Sequence, residues 1–436
     1  MYMVQNIKTK VYDLLRWSEQ YTKTDMVYLA RGSFWLTAGN VINSVAVFLS
    51  AIAFANLLPK ETYGIYKYVL SISGILSITT LGGMEHAVAQ AVAKGQEKTF
   101  PIALKTRVRY GFWGFIASLL AAGYYYSQQQ FTLAIAFALI SIFIPFIDTL
   151  GMYQNYLQNK KLFNVSATYG SISQVIAVIV LVTILFLTKN LFSILLGYFA
   201  IWTLLRFIFL KITLKKFPPN ENYDPQAISY GKHASVINIM ATLIGSLDNV
   251  LLFHYLGAAD LAIYSFAIAP IAQLRSLTQY LPTLALPKLA QRPVKEIDLM
   301  LKKRIVLLFL IGIIIAGGYF IITPLVYKIF FPKYLDAIFY SQIFAISIAL
   351  TMPHDIFGSA VSSKLTSTPK KMLYLWNMPS IVLVASLFLF IPRLGILGVI
   401  FSKMLSAASV LLIDAILWRN IKKIDSSAKI NDINKN

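Results

Sequence analysis

Two apolar stretches lie close together near the start of the chain: FWLTAGNVINSVAVFLSAIAFANLL at residues 34–58 and YGIYKYVLSISGILSITTL at residues 63–81. Each is close to the length of about 20 residues that a helix needs to cross a bilayer. The short segment Pro59-Lys60-Glu61-Thr62 separates them, and a proline followed by polar residues is typical of a break between two helices. The sequence therefore predicts two membrane-spanning helices joined by a tight turn.

A similar turn recurs in the second half of the chain. LPKETYGIY at residues 58–66 aligns with LGAADLAIY at residues 256–264, and at the same offset Asn40 aligns with Asn238. In both stretches a helix is expected to end, a short polar turn follows, and Ile-Tyr begins the next helix. The repeat predicts two halves of similar design, as in many transporters.

The composition is that of an all-α integral membrane protein. Of the 436 residues 57% are hydrophobic and 13% are charged, whereas a typical globular domain has about 25% charged residues. The chain contains no cysteine, which excludes disulfides, thiol nucleophiles and cysteine metal ligands. The first 30 residues are polar and basic without an apolar core, so we expect no cleavable signal peptide.

The apolar pattern predicts about twelve transmembrane helices. The long polar connection at 215–234, with Pro218, Pro219 and Pro225, separates six from six. The predicted spans are Phe34–Leu58, Tyr63–Leu81, Tyr110–Tyr126, Phe131–Tyr153, Val165–Leu187, Leu191–Leu214, Ser235–Phe253, Leu261–Thr283, Ile305–Tyr327, Ala337–Ala360, Met372–Ile391 and Gly395–Trp418.

These spans imply five segments along the chain. An N-terminal lobe covers residues 34–214, a cytoplasmic linker 215–234, a C-terminal lobe 235–418 and a cytoplasmic tail 419–436. In residues 1–33, apolar side chains recur at helical spacing among lysines and arginines. This pattern favours an amphipathic helix on the cytoplasmic membrane surface, and a disordered basic tail is the alternative.

The basic residues indicate how the chain is oriented in the membrane. Of the 39 lysines and arginines, 31 fall in the two terminal segments and the even-numbered connections or next to them, and only five fall in the odd-numbered connections. Cytoplasmic loops carry an excess of Lys and Arg, so we expect both termini in the cytoplasm. The net charge of +21 is thereby explained by membrane orientation, and we predict no nucleic-acid partner.

No enzyme motif is present in the sequence. There is no P-loop, and the four histidines are too scattered to form a metal pair. We therefore predict no catalytic residue, metal site or cofactor. The adjacent pair His354-Asp355 is open to two interpretations, a proton relay or an ordinary polar pair near a helix end.

Three basic residues inside predicted spans are candidates for a site: Lys67, Arg275 and Lys403. Charged groups inside membrane helices usually face a bundle interior or a watery cavity. If these three share a cavity, they make it attractive to an anion such as a pyrophosphate. Lys67 lies one turn into its helix, and snorkelling to the membrane interface is an equal alternative for it.

Polar residues inside the spans supply further candidates. Asp248-Asn249 lies well inside the seventh predicted span, where it either binds a coupling cation or pairs with a basic residue. Asn40 and Asn43 are three residues apart and share a helix face. Together with Asn238 they either hydrogen-bond sugar hydroxyls of a substrate or join helices to each other.

Several stretches resemble the bacterial polysaccharide biosynthesis (oligosaccharide flippase) family. They are the turn LLPKETYG at residues 57–64, the helix end LGGM at 81–84, FPKYLDA at 331–337 with IFA at 343–345, and LGILGV at 394–399. Their order and spacing cover nearly the whole chain. The resemblance implies a member of the multidrug/oligosaccharidyl-lipid/polysaccharide exporter superfamily.

Such proteins are built as two six-helix lobes around a central cavity. By this resemblance, we expect a flippase that moves undecaprenyl-pyrophosphate-linked oligosaccharide across the bacterial inner membrane by alternating access, for O-antigen, capsule or exopolysaccharide assembly. Expected partners are the lipid-linked oligosaccharide, membrane lipids, a polysaccharide polymerase and chain-length proteins. A cation-coupled multidrug exporter of the same superfamily is the first alternative. A membrane-embedded glycan polymerase or ligase is disfavoured because every predicted outer loop is short.

Overall fold

The computed structural model describes residues 26–276, 289, 292–365, 375 and 377–433, in which all regular secondary structure is helical. Of the predicted N-terminal surface segment, residues 1–25 lie outside the described residues, and residues 26–33 form the start of the first helix. The helices before the polar connection are α1 (Met26–Leu57), α2 (Lys60–Leu76), α3 (Met84–Ala93), α4 (Thr99–Ser127), α5 (Phe131–Ser141), α6 (Ile144–Leu150), α7 (Tyr153–Asn159), α8 (Phe163–Leu187) and α9 (Leu191–Lys216).

The helices after the polar connection include the two longest ones. They are α10 (Ala227–Leu256), α11 (Ala258–Ser276), α12 (Val294–Phe330), α13 (Ala337–Ala345), α14 (Ser347–Leu365), α15 (Met378–Leu394) and α16 (Ile396–Ile433). Short 3₁₀ turns follow α2, at Ser77–Thr80, and α12, at Pro332–Tyr334.

Seven helices in the described part of the chain are long and apolar enough to cross a membrane, or nine if each of two bent pairs counts as one span. This confirms the prediction of an all-helical protein with many membrane spans. The total of twelve remains a prediction, since parts of the predicted eighth and eleventh spans lie outside the described residues.

The predicted span Phe131–Tyr153 is divided in the structure. Helix α5 ends at Ser141 and α6 begins at Ile144, with a bend of 51° between Phe131–Ser141 and Ile144–Asn159. Pro145 lies in the first turn of α6. Proline has no N–H to donate to the preceding turn and is favoured at the start of a helix, which explains why the helix restarts here.

The described chain forms two compact units. Unit 1 comprises residues up to Leu57 together with Ile72–Thr242, and unit 2 comprises Leu58–Ser71 together with the residues from Leu243 onward. The boundaries thus fall at the end of α1, inside α2 and inside α10. The lobes predicted at 34–214 and 235–418 have other limits and remain a prediction.

The core of unit 1 is rich in aromatic side chains. Phe100 of α4 stacks on Tyr156 of α7 with ring centroids 4.5 Å apart, and Tyr169 of α8 stacks on Phe209 of α9 at 4.6 Å. These rings belong to one buried cluster or pack directly against it. Stacked aromatic pairs add to the stabilisation that burial provides, so the cluster holds α4, α7, α8 and α9 together.

In unit 2 the two repeated turns pack against each other. Tyr63 of α2 stacks on Phe266 of α11 with ring centroids 4.7 Å apart. Gly64 lies so close to α11 that an added Cβ would be 1.8 Å from the carbonyl oxygen of Ala258. Only glycine permits this approach, which explains why the first turn carries Gly64 where the second carries Ala262.

Candidate functional site

Unit 1 contains a polar cavity of about 530 Å³, a volume in the usual range for small-molecule sites. Its wall is built from α1, the 3₁₀ turn after α2, and helices α3, α4 and α6 to α10. Six amide side chains line it: Asn43, Gln154, Asn155, Gln158, Gln174 and Asn238. Each amide offers both donors and an acceptor, a set that suits a ligand with many hydroxyl groups.

The charges of this cavity are arranged in two opposite pairs. Arg107 Nη1 lies 2.9 Å from Glu85 Oε1, and Arg206 Nη1 lies 3.2 Å from Asp148 Oδ1. These four are the charged residues that line the cavity, so its formal charge sums to zero. Arg206 also lies over the Trp202 ring, 5.2 Å from its centroid. The cavity therefore offers no excess charge to an ionic ligand.

Two of the predicted asparagines reach this cavity and one does not. Asn43 and Asn238 both line it, and the buried Oδ1 of Asn43 accepts no hydrogen bond from the described residues. Asn40 is half-buried in α1 and is not among the lining residues. The shared helix face predicted for Asn40 and Asn43 thus does not bring both to the cavity.

Unit 2 contains a second, smaller pocket of about 330 Å³ with a cationic wall. Arg275 at the end of α11 and Lys403 of α16 both line it, together with His354 of α14. Ser347, Thr351 and Ser406 add hydroxyl groups. Two of the three basic residues predicted to share a cavity therefore do share one within this unit.

Lys403 is also tied to a buried carboxylate. Its Nζ lies 2.7 Å from Asp248 Oδ2, and the Tyr264 hydroxyl donates a 2.6 Å hydrogen bond to the same oxygen. The Asp248 side chain is only 6% exposed. Of the two interpretations of Asp248, the contacts match pairing with a basic residue, because Lys403 and Tyr264 already neutralise and solvate the carboxylate.

The remaining predicted residues lie around this ion pair. Asn249 donates its backbone N–H to Asp248 Oδ1 at 2.8 Å and its side-chain amide to Ser71 Oγ at 2.9 Å. Lys67, one turn before Ser71, is half-buried and within electrostatic range of Asp248. Lys67 is not a lining residue of the cationic pocket, so the pocket contains two of the three predicted cations.

His354 is paired with a different acid from the one next to it in sequence. Its Nδ1 lies 2.7 Å from Asp414 Oδ2 of α16. Asp355 is within electrostatic range of both Arg275 and His354. In the described residues no group of three His, Asp or Glu side chains could hold a metal ion.

The two arginines of the unit 1 cavity were not predicted as site residues. Counting basic residues for orientation assigns Arg107 and Arg206 to the cytoplasmic side of the chain, although Arg206 lies inside the predicted sixth span. Asp148 inside the predicted fourth span indicates that a basic residue lies near it, because acids inside membrane spans usually pair with basic residues. Sequence spacing alone does not identify that partner 58 residues away.

The comparisons with known proteins agree with this architecture. The chain is similar over 93% of its length, and 99% of the other chain, to the lipid II flippase MurJ in an inward closed conformation, with a TM-score of 0.63 and 14% sequence identity. It is similar to a MATE structure solved in complex with MaD5 over 91% of its length and 96% of that chain, with a TM-score of 0.59 and 15% identity. It also resembles an outward-facing multidrug resistance MATE family transporter of the MOP superfamily. This similarity covers 92% of its length and 96% of that chain, with a TM-score of 0.56 and 12% identity.

These similarities establish the fold as that of MOP-superfamily transporters, and the protein is a multi-pass integral membrane protein. A comparison with curated protein sequences found no match. Residues 29–291 match the family described as "Polysaccharide biosynthesis protein", which confirms the resemblance found in the sequence. The chain therefore belongs to the polysaccharide biosynthesis protein family.

Proposed function

We propose that this protein is a flippase that moves undecaprenyl-pyrophosphate-linked oligosaccharide units across the bacterial inner membrane for O-antigen, capsule or exopolysaccharide assembly. The family and the MOP-superfamily fold support lipid-linked glycan transport. The observation that carries the proposal is the cationic pocket of unit 2, where Arg275 and Lys403 line one wall. A chain of twelve spans in two lobes around a central cavity would act by alternating access.

The cationic pocket suits a phosphate group. Guanidinium and ammonium groups make short, charge-assisted hydrogen bonds to phosphate oxygens, and arginine can do so with two N–H groups at once. Lys403 is paired with Asp248 and Arg275 is within electrostatic range of Asp355, so we expect both cations to contribute to the attraction. The hydroxyl groups of Ser347, Thr351 and Ser406 would provide further donors for phosphate oxygens.

The cavity of unit 1, taken by itself, suits a glycan. Asn43 and Asn238, joined by four other amides, would exchange hydrogen bonds with sugar hydroxyls. The internally neutralised ion pairs of this cavity favour a neutral polyhydroxylated ligand over a phosphate. A sugar bound there would satisfy the unpartnered Oδ1 of Asn43.

Transport needs an energy source outside this chain. No P-loop is present in the sequence, so we infer that an ion gradient, the membrane potential or consumption of the product drives the process. Moving one charge through 100 mV is worth about 2.3 kcal/mol, enough for modest accumulation. We place both termini in the cytoplasm, with a polysaccharide polymerase and chain-length proteins as downstream partners.

Cation-coupled drug export is the second candidate, favoured by the similarity to MATE structures and by the buried Asp248. Its weakness is that Asp248 is already bound by Lys403 and Tyr264. A coupling cation would have to displace an ammonium group held at 2.7 Å.

Complementation of a deletion strain separates the two candidates. R275A and K403A should each abolish or strongly reduce surface glycan while the protein remains in the membrane at the wild-type level. R393A is the matched control, because Arg393 is exposed at the end of α15 and bonds only its own helix in the described structure. Wild-type glycan export by both R275A and K403A would exclude this pocket from the transport mechanism.

A further inference from the structure

A histidine–carboxylate pair forms part of the wall of the cationic pocket. His354 lines the pocket and is 33% exposed, whereas Asp414 behind it is 1% exposed. The imidazole Nδ1 lies 2.7 Å from Asp414 Oδ2. The other oxygen, Asp414 Oδ1, has no hydrogen-bond partner among the described residues. A buried carboxylate that contacts one titratable group depends on that group for its charge compensation.

The other charged groups near this pair come from three helices. Arg275 of α11 and Lys403 of α16 line the same pocket, and Asp355 follows His354 on α14, within electrostatic range of both Arg275 and His354. Helix α15 contributes the apolar Leu383. Helix α12 packs on α14 through Gly312, at Ala349, and through the apolar cluster that contains Leu301.

We propose that the His354–Asp414 pair takes up a proton when an anion binds in this pocket, so that movement of the substrate's phosphates is linked to proton binding. The inference rests on the proposed function, because it requires an anionic ligand in the pocket. The proton comes from the solvent and binds the other imidazole nitrogen, Nε2, while Nδ1–H donates to Asp414. No other bond is made or broken.

The physical reason is electrostatic. A free histidine titrates near pH 6.5, so a modest change in its surroundings changes its charge at physiological pH. A phosphate placed between Arg275, Lys403 and His354 brings negative charge to the open side of the imidazole and favours the charged imidazolium. Linkage is reciprocal, so protonation of His354 must in turn strengthen anion binding.

Gly358 fixes the position of the imidazole one turn further along α14. A Cβ at this position would lie 2.7 Å from His354 Cε1, closer than real contacts allow, so the ring occupies the space that glycine leaves. Gly358 is thus a positioning residue. G358A should displace the ring from Asp414 and weaken the linkage without removing any titratable group.

The test counts protons on the purified full-length protein with inorganic pyrophosphate as the probe. Calorimetry in two buffers of different ionisation enthalpy, at pH values from 6 to 8, gives the number of protons exchanged per pyrophosphate bound. Pyrophosphate itself changes protonation on binding, so the informative quantity is the difference between variants. The wild type should take up more protons than H354Q, by up to about one per site, because the imidazole of His354 can bind one proton.

Three further variants sharpen the result. D414N and G358A should lose part or all of this difference, and H254Q should retain it, because His254 of α10 is exposed and does not line the pocket. If wild type and H354Q bind pyrophosphate with the same proton count, the proposed proton linkage is wrong, whereas the anion pocket still stands. Failure of the wild type to bind pyrophosphate would overturn the anion pocket of the proposed function, and the linkage with it.

Discussion

Lys403 on the last helix of unit 2 forms a 2.7 Å ion pair with Asp248 on α10, although 155 residues separate them in sequence. The pair should matter both for stability and for transport, because the same lysine also lines the cationic pocket. Lys403 is 30% exposed and Asp248 only 6%. The lysine can therefore contact a ligand while its charge remains partly compensated from behind.

Removing the carboxylate of this pair should destabilise the protein. D248N leaves the Lys403 ammonium without its anion. Removing one partner of a buried ion pair costs about 3–5 kcal/mol of stability. The cost should be smaller here because Lys403 is partly exposed. We expect a lower thermal midpoint for D248N in detergent. The double variant D248N/K403M should recover part of the loss, since it leaves no unpaired charge. Equal midpoints for D248N and wild type would show that the pair does not stabilise the fold.

Arg107 should matter for stability far more than its neighbour Arg109. Arg107 is fully buried and donates to the Thr80 carbonyl at 2.9 Å and to Glu85 at 2.9 Å, whereas Arg109 is exposed. R107M should lower the free energy of unfolding by about 1–3 kcal/mol, the usual cost of lost buried hydrogen bonds. R109M is the matched control and should change it by less than about 0.5 kcal/mol. Similar losses in both variants would contradict this role of Arg107.

The contact between the repeated turns predicts opposite effects of two glycine substitutions. In G64A the new Cβ would meet the carbonyl oxygen of Ala258 at 1.8 Å, and overpacking of this kind costs about 1–3 kcal/mol. In G245A the methyl group meets nothing within 4 Å, so alanine should stabilise helix α10 by up to about 1 kcal/mol. Thermal unfolding of the two variants measures both effects. A G64A variant as stable as G245A would show that the turns do not pack this closely.

A surface ion pair between the start of α2 and the turn after α12 should give a small acid sensitivity. Lys60 Nζ lies 2.5 Å from Asp336 Oδ2, and this hydrogen bond holds the pKa of Asp336 below its usual range. A carboxyl group with a lowered pKa stabilises the folded state above its usual pKa of about 3.9, and this stabilisation is lost as the pH falls through the lowered value.

The effect should be small because the Asp336 side chain is 56% exposed. Exposed pairs contribute about 0.2–1 kcal/mol and weaken in salt. Thermal midpoints of wild type and D336N should therefore differ at pH 6 in low salt and converge below pH 3 or in 1 M NaCl. If the difference in thermal midpoint persists unchanged in acid and in high salt, it does not arise from this ion pair.

The membrane spans could largely be predicted because the property that defines them is local. A run of apolar residues long enough for the bilayer is visible in the sequence without its neighbours, and α1, α8 and α9 end close to their predicted limits. The break before Pro145 was missed because residues 131–153 remain apolar on both sides of it. Hydropathy does not distinguish a straight span from a bent one.

The candidate site was predicted less completely because it depends on long-range contacts. Arg275 and Lys403 were recognisable as charges inside apolar spans, and they do line one pocket. The partners Lys403–Asp248 and His354–Asp414 come from helices far apart in sequence, and no spacing rule pairs them. Arg206 was counted as a cytoplasmic charge, yet it faces Asp148 in the cavity of unit 1.

The most direct test of flippase function is lipid analysis of the native host after deletion of this gene. Lipid extracts should contain accumulated undecaprenyl-pyrophosphate-linked oligosaccharide while the surface polysaccharide disappears, and a plasmid copy of the wild-type gene should reverse both changes. The R275A gene should reverse neither. Normal surface polysaccharide with no accumulated lipid-linked intermediate, in a strain without a second flippase gene, would contradict the proposal and favour drug or small-molecule export.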